Sequence, residues 1–188
     1  MRIGVYSGTF DPVHNGHLAL AQAALIEAEL DRVLFIPEAL PRGKTQVTAL
    51  EHRVRMLELA TADHLAYSVI TLRSQQFTVQ ETLPELQGLF PGAQLVLIMG
   101  SDVAKHLTTR WPDLDAALER LEFGIGLRGH DEIHDVQSAL AQYPQATYSV
   151  MTAPYPHAAS SSARISCGHK SDIPLAVASY ITAQKLYV

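Results

Sequence analysis

The sequence predicts a doubly wound α/β domain, a parallel sheet with helices on both faces. Short apolar runs recur along the 188 residues, and stretches of helical apolar spacing fill the gaps between them. The first strand-to-helix junction is rich in glycine and histidine. Strand and helix patterns that alternate give a parallel sheet, because parallel neighbours need a crossover that a helix supplies. In such open sheets ligands sit at the carboxyl ends of the strands.

Taken in order, Ile3–Tyr6 is the first strand, and Leu18–Leu30 repeats its apolar residues at helical spacing. Val33–Ile36 is the second strand, followed by a helix over Leu50–Thr61. Tyr67–Ile70 and Leu95–Met99 bracket a helix over Val79–Leu89. Leu114–Leu121, the strand Phe123–Leu127, the helix Glu132–Tyr143 and the strand Thr147–Val150 complete the pattern. The segments that follow strands, and should converge on a site, are 7–17, 37–46, 71–78, 100–111, 128–131 and 152–165. The Pro/His/Ser-rich stretch Ala153 to Ser162 reads as a loop over that site. No repeat or linker divides the chain, so one domain over 1–188 is expected, large enough to bury a substantial core.

Composition narrows the function. A hydrophobic fraction of 47% and a charged fraction of 18% are ordinary globular values. A net charge of −5 argues against a nucleic-acid partner, though not against a local basic pocket. The single cysteine, Cys167, excludes an internal disulfide and reads as an ordinary thiol in a reducing compartment. The chain enters a strand directly after Met1, with no signal-peptide pattern, and runs such as Leu95 to Met99 are too short to span a membrane. A cytoplasmic protein with no membrane partner is expected. Nothing in the sequence separates a monomer from a homo-oligomer.

The most informative stretch is Gly8-Thr9-Phe10-Asp11-Pro12-Val13-His14-Asn15-Gly16-His17. At a strand-to-helix junction, free backbone N–H groups and the positive end of the helix dipole favour an anion. The glycines allow close backbone approach or a positive φ. Asp11-Pro12 is turn chemistry, and Asn15 suits an N-cap. His14 and His17, three apart, can aim both rings at one point. A phosphate-bearing ligand follows. A zinc site does not, because no nearby motif offers a third ligand.

With the Leu18 that follows, these residues resemble the His-x-Gly-His nucleotidyltransferase signature, and above all that of the bacterial nicotinate mononucleotide adenylyltransferase family. The resemblance implies a Rossmann-like sheet. It implies adenylyl transfer from Mg-ATP to nicotinate mononucleotide, releasing pyrophosphate, with no covalent enzyme intermediate and with Mg²⁺ carried by ATP. His14 and His17 would be the catalytic residues, steadying phosphate charge, with Gly8, Thr9, Phe10 and Gly16 around ATP. Charge-assisted hydrogen bonds are worth roughly 1.5–3 kcal/mol each, and alignment of the reactants up to about 7–11 kcal/mol.

Further segments extend the resemblance. Pro37-Glu38-Ala39-Leu40-Pro41-Arg42-Gly43-Lys44 matches a proline-rich loop that usually ends Pro-His-Lys. Lys44 fits and becomes a candidate phosphate contact, with a solvated lysine as the alternative; Gly43 replaces the histidine. Glu51-His52-Arg53 opens a helix read mainly as structure. Phe77-Thr78-Val79 and Glu81-Thr82-Leu83 resemble the family's Tyr-Thr-Val-Asp-Thr-Leu with one residue inserted. Thr78 and Glu81 are spaced as a capping box, and backbone near Thr78 would face the base. Asp102 in Gly100-Ser101-Asp102 would accept from ribose hydroxyls or else cap the next helix, and Trp111 would stack on the pyridine ring or else pack in the core.

The second signature departs most. The family reads Ile-Ser-Ser-Thr-x-Ile-Arg; this chain reads Ser160-Ser161-Ser162-Ala163-Arg164-Ile165, so the arginine arrives one residue early, about 100° of helical rotation. Ser161, Ser162 and Arg164 remain the expected ATP-phosphate contacts. Two alternatives stay open: a nucleotide-binding protein with lost or altered transferase activity, or transfer to another small phosphorylated acceptor such as phosphopantetheine. The related pantetheine-phosphate enzymes usually carry threonine where His14 stands. The sequence does not fix nicotinate against nicotinamide.

Overall fold

A computed structural model of the chain describes residues 1–105, 107, 114–127, 133–152 and 172–187. The strands are β1 (Arg2–Gly8), β2 (Arg32–Pro37), β3 (Tyr67–Val69), β4 (Gln94–Gly100), β5 (Glu122–Gly126) and β6 (Thr147–Met151). The helices are α1 (Asn15–Glu27), α2 (Leu50–Thr61), α3 (Thr82–Leu89), α4 (Ser101–Ala104), α5 (Leu114–Arg120), α6 (Ile133–Leu140) and α7 (Leu175–Gln184). The strands form one sheet in the order β3-β2-β1-β4-β5-β6, and every neighbouring pair is parallel. This is the Rossmann-like arrangement that the sequence predicts. The order reverses between β1 and β4, and the crevice at that reversal is the ligand position in such sheets.

The strands read as unbroken apolar runs because both faces are covered. Alternate residues divide between two cores. Ile3, Val5, Leu34, Ile36, Leu97 and Phe123 point to one face, where Leu83 and Leu86 of α3, Ala117 of α5 and Val136 of α6 pack on them. Tyr6, Val33, Phe35, Val96 and Ile98 point to the other, against Leu20 and Ala24 of α1, Met56 and Leu57 of α2 and Val177 of α7. On that second face Phe35 meets Tyr67 edge to face at 5.4 Å, and the Tyr67 hydroxyl donates to Gln22 Oε1 at 3.3 Å. Burial pushes the Tyr67 phenol up to about 12. α7 lies on α2, where His52 Nδ1 and the Tyr180 hydroxyl share a hydrogen bond of 2.8 Å.

All six expected strands are present, and α2 occupies its expected span. Two helix starts differ. α1 begins three residues early, at Asn15, because His14 and not Asn15 is its N-cap. α3 begins at Thr82 because Thr78–Glu81 forms a turn ahead of it. Within that turn only half of the expected capping box forms: Glu81 N–H donates to Thr78 Oγ1 at 3.1 Å, while Thr78 N–H donates to Thr82 Oγ1 at 3.0 Å.

Candidate active site

At the end of β1 the backbone turns through Phe10, whose φ is 49°. The glycines could have taken a positive φ or allowed close approach; the left-handed backbone falls on this aromatic residue, and Gly16 is helical. Such a conformation is costly for a bulky side chain unless its surroundings hold it. They do: the buried Phe10 ring meets Tyr6 at 5.3 Å, Phe35 at 5.8 Å and His17 at 5.0 Å, each edge to face. Gly8 gives the ring room to do so. A Cβ there would lie 3.2 Å from Phe10 Cζ, and the ring would have to give by a few tenths of an ångström.

His14 and His17 form a reciprocal cap on α1. His17 N–H donates to His14 Nδ1 at 3.3 Å, and His14 N–H donates to His17 Nδ1 at 3.2 Å. The rings stack with centroids 3.6 Å apart and planes at 26°. This is the capping-box geometry with imidazoles in place of hydroxyl and carboxylate. Accepting at Nδ1 leaves the hydrogen of a neutral imidazole on Nε2, so the cap fixes the tautomer of both rings. Of the first-turn amides, Asn15 N–H donates to Asp172 O at 2.8 Å, whereas Gly16 N–H has no acceptor among the described residues. The dipole end of α1 therefore offers an amide donor beside the two histidines.

A buried arginine shapes the surrounding loops. Arg53, on α2, is only 1% exposed, yet its guanidinium binds backbone carbonyls and not a carboxylate. Nη1 donates to Thr9 O and to Glu38 O, both at 2.8 Å; Nε donates to Thr48 O at 2.8 Å and Nη2 to Ala39 O at 3.3 Å. Burial lowers its pKa, opposed by Asp11, Tyr187 and Glu38. Asp11, itself buried, accepts from Thr48 N–H at 3.2 Å and from the Tyr187 hydroxyl. Glu38 Oε1 accepts from Ser7 Oγ at 3.2 Å and from Phe77 N–H at 3.1 Å, joining the ends of β1 and β2 to the segment after β3.

These loops enclose a cavity of about 680 Å³ over the reversal point. Gly8, Thr9, Phe10 and His17 line it, with Arg42, Gly43 and Lys44 from the loop after β2, Phe77 from beyond β3, and Gly100 and Asp102 from the end of β4. Its size suits a nucleotide-sized ligand. Gly43 holds a φ of 69°, a backbone shape that only glycine adopts without strain, so the loop turns there between Arg42 and Lys44.

Of the residues proposed from sequence, Gly8, Thr9, Phe10, His17, Lys44 and Asp102 thus share one cavity wall. His14 and Gly16 are buried behind it. Thr78 is occupied in the turn before α3, while its neighbour Phe77 reaches the cavity. Asp102 is within the first turn of α4, whose N-cap is Gly100, so the capping alternative for Asp102 is not realised. Trp111, Ser161, Ser162 and Arg164 lie outside the described residues, as does the Ala153 to Ser162 loop. Sequence reading missed Arg53 and Glu38. One signal for Arg53 was available: Arg53, Met56, Leu57 and Ala60 form a single buried helical stripe, and a lone cation on an apolar stripe marks a buried charge.

The cytidylyltransferase-like family model matches residues 5–166. A protein of Thermomicrobium roseum named "Probable nicotinate-nucleotide adenylyltransferase" is 34% identical, covering 99% of this chain and 91% of its own length. A Neisseria meningitidis protein of the same name is 33% identical, covering 99% and 98%. Among solved structures, Plasmodium falciparum nicotinic acid mononucleotide adenylyltransferase complexed with NaAD superposes with a TM-score of 0.81 at 20% identity, over 99% of this chain and 97% of that one.

Proposed function

The chain belongs to the cytidylyltransferase-like family, and from that premise we propose that it transfers the adenylyl group of Mg-ATP to nicotinate mononucleotide. An oxygen of the mononucleotide phosphate attacks the α-phosphorus of ATP, the bond to the β-phosphate bridge breaks, and pyrophosphate leaves with its electron pair. The products are the deamido dinucleotide and pyrophosphate. No group on the protein is covalently modified, so catalysis is alignment plus stabilisation of moving charge.

The observation that carries this reading is the reciprocal histidine cap. It presents His17 on the cavity wall as an Nε2–H donor and holds His14 beside it in the same tautomer. Donors fixed before the reaction need no reorganisation as negative charge builds on the departing phosphates. The positive end of the α1 dipole, which begins beside the cavity, favours the same charge. Lys44 and Asp102 line the same cavity, and this reading assigns Lys44 to a phosphate and the Asp102 carboxylate to the ribose hydroxyls. Trp111 is assigned to the pyridine ring, and Ser161, Ser162 and Arg164 to the ATP phosphates, on the sequence alone. Mg²⁺ enters with ATP, since such ions often bind through substrate phosphates with few protein ligands.

The deciding experiment is pyrophosphate release from Mg-ATP with nicotinate mononucleotide, nicotinamide mononucleotide and phosphopantetheine offered in turn. Turnover with the pyridine acceptors that stops in excess chelator supports the proposal. Turnover with phosphopantetheine alone overturns the acceptor, and tight ATP binding without turnover overturns the transfer. Arg164→Ala should raise KM for ATP more than KM for the mononucleotide; equal effects would remove Arg164 from the ATP site.

A further inference from the structure

Every polar atom of Glu38 but one is engaged within the fold. Its N–H donates to Gly8 O at 3.0 Å, and its carbonyl accepts from Arg53 Nη1 at 2.8 Å. Its Oε1 accepts from Ser7 Oγ at 3.2 Å and from Phe77 N–H at 3.1 Å. Its Oε2 has no partner among the described residues. These bonds fix the carboxylate in place and leave over one charged acceptor in a residue that lines the cavity.

A carboxylate oxygen repels phosphate and accepts from N–H or O–H groups. Glu38 follows β2 directly, and β2 is the neighbour of β1, whose end leads to the α1 N-terminus where phosphate is favoured. Strands lie about 4.8 Å apart, so the part of a nucleotide that meets Glu38 is the first one beyond its phosphate, the ribose. In doubly wound sheets an acid about 20 residues past the glycine-rich turn takes a ribose hydroxyl in this way. Asp102 stands across β1 from Glu38, past the end of β4, and these two are the acids of the cavity lining among the described residues. Adenylyl transfer joins two nucleotides at their phosphates, so two riboses run outward from β1, one to each side. The cavity holds one acid for each.

Resting on the reading of two nucleotides in one cavity, we propose that Glu38 binds a ribose diol, as the counterpart of Asp102. The diol belongs to ATP or to the accepting mononucleotide, and measurement separates the two. The test is equilibrium binding of ATP and of nicotinate mononucleotide, each beside its 2′-deoxy and 3′-deoxy forms, to the unmodified protein and to Glu38→Gln. Glutamine keeps an oxygen for Ser7 and Phe77 and puts an NH₂ in place of Oε2, so it removes the acceptor and spares the bonds that hold the loop. For one of the two nucleotides, the unmodified protein should bind the ribose form about ten- to a hundredfold more tightly than a deoxy form, and Glu38→Gln should shrink that margin to within about threefold. That nucleotide is the one over β2, and the margin of the other should not change. A margin absent from the unmodified protein, or undiminished in Glu38→Gln for both nucleotides, would overturn the proposal. Equal weakening of ribose and deoxy forms would also overturn it, by assigning Glu38 to loop shape. Failure of the unmodified protein to bind either nucleotide is a separate result. It overturns the two-nucleotide reading itself, and this assignment with it.

Discussion

The Arg53 guanidinium holds the Thr9 carbonyl at 2.8 Å, so a charge buried under α2 sets the path of the loop that leads to α1. The same Nη1 binds Glu38 O, so one guanidinium nitrogen ties the signature loop to the loop after β2. Burying a guanidinium is costly, and four carbonyl acceptors offset that cost only while the charge is present.

Arg53→Met should therefore strand several carbonyls at once. An acceptor left without a partner costs about 1–3 kcal/mol, so a loss of about 3 kcal/mol, or roughly 6–12 °C in Tm, is expected. Thermal unfolding of the purified variant checks this. A Tm within a degree or two of the unmodified protein would mean that water replaces the guanidinium.

His17 has two separable tasks. Its Nδ1 closes the cap, and its ring lines the cavity. In His17→Asn the amide oxygen sits near the Nδ1 position, so the cap is retained while the Nε2 donor is lost. Turnover should fall about 100–1,000-fold with little change in Tm. Unchanged pyrophosphate release from this variant would exclude His17 from the chemistry.

Trp111 is the only tryptophan, so its emission reports a single place in the chain. If the pyridine ring stacks on it, saturating nicotinate mononucleotide should quench the fluorescence. Steady emission from active enzyme would contradict stacking.

Tyr67 gives an alkaline signature. A free phenol ionises near 10 and the buried Tyr67 at about 12. Between those values the unfolded chain has lost the proton that the folded chain keeps, so this contribution is full below pH 10 and fades as pH rises to about 12. It amounts to at most about 2–3 kcal/mol. Chemical denaturation at pH 9 and pH 11.5 should show a smaller drop in Tyr67→Phe than in the unmodified protein. Equal drops would show that Tyr67 ionises like an exposed phenol.

The sheet was legible because strands such as Val33–Ile36 are the unbroken apolar runs, rich in β-branched and aromatic residues, that two covered faces require. The cavity was legible in the segments at and after strand ends: Gly8 closes β1 and Thr9 follows it, Lys44 stands in the loop after β2, and Asp102 lies two residues past β4. Helix starts were less so. His14 is not among the usual capping side chains, and its partner is another ring whose role emerges only when the two Nδ1 atoms meet the backbone. Glu38 follows the last residue of β2 like any loop acid, and its bonds to Ser7 and Phe77 join segments distant in sequence. No local pattern encodes contacts of that range.

The loop between β1 and α1 is fastened by residues made long after it. Thr9 waits for Arg53, 44 positions on, and Asp11 for Tyr187, 176 positions on. At translation rates of about 5–20 residues per second, the second fastening comes roughly 9–35 s after the loop itself has been synthesised. A loop made well before its partners is thus among the last parts of the chain to be secured. A nascent chain can carry the whole signature and still hold no finished phosphate cradle.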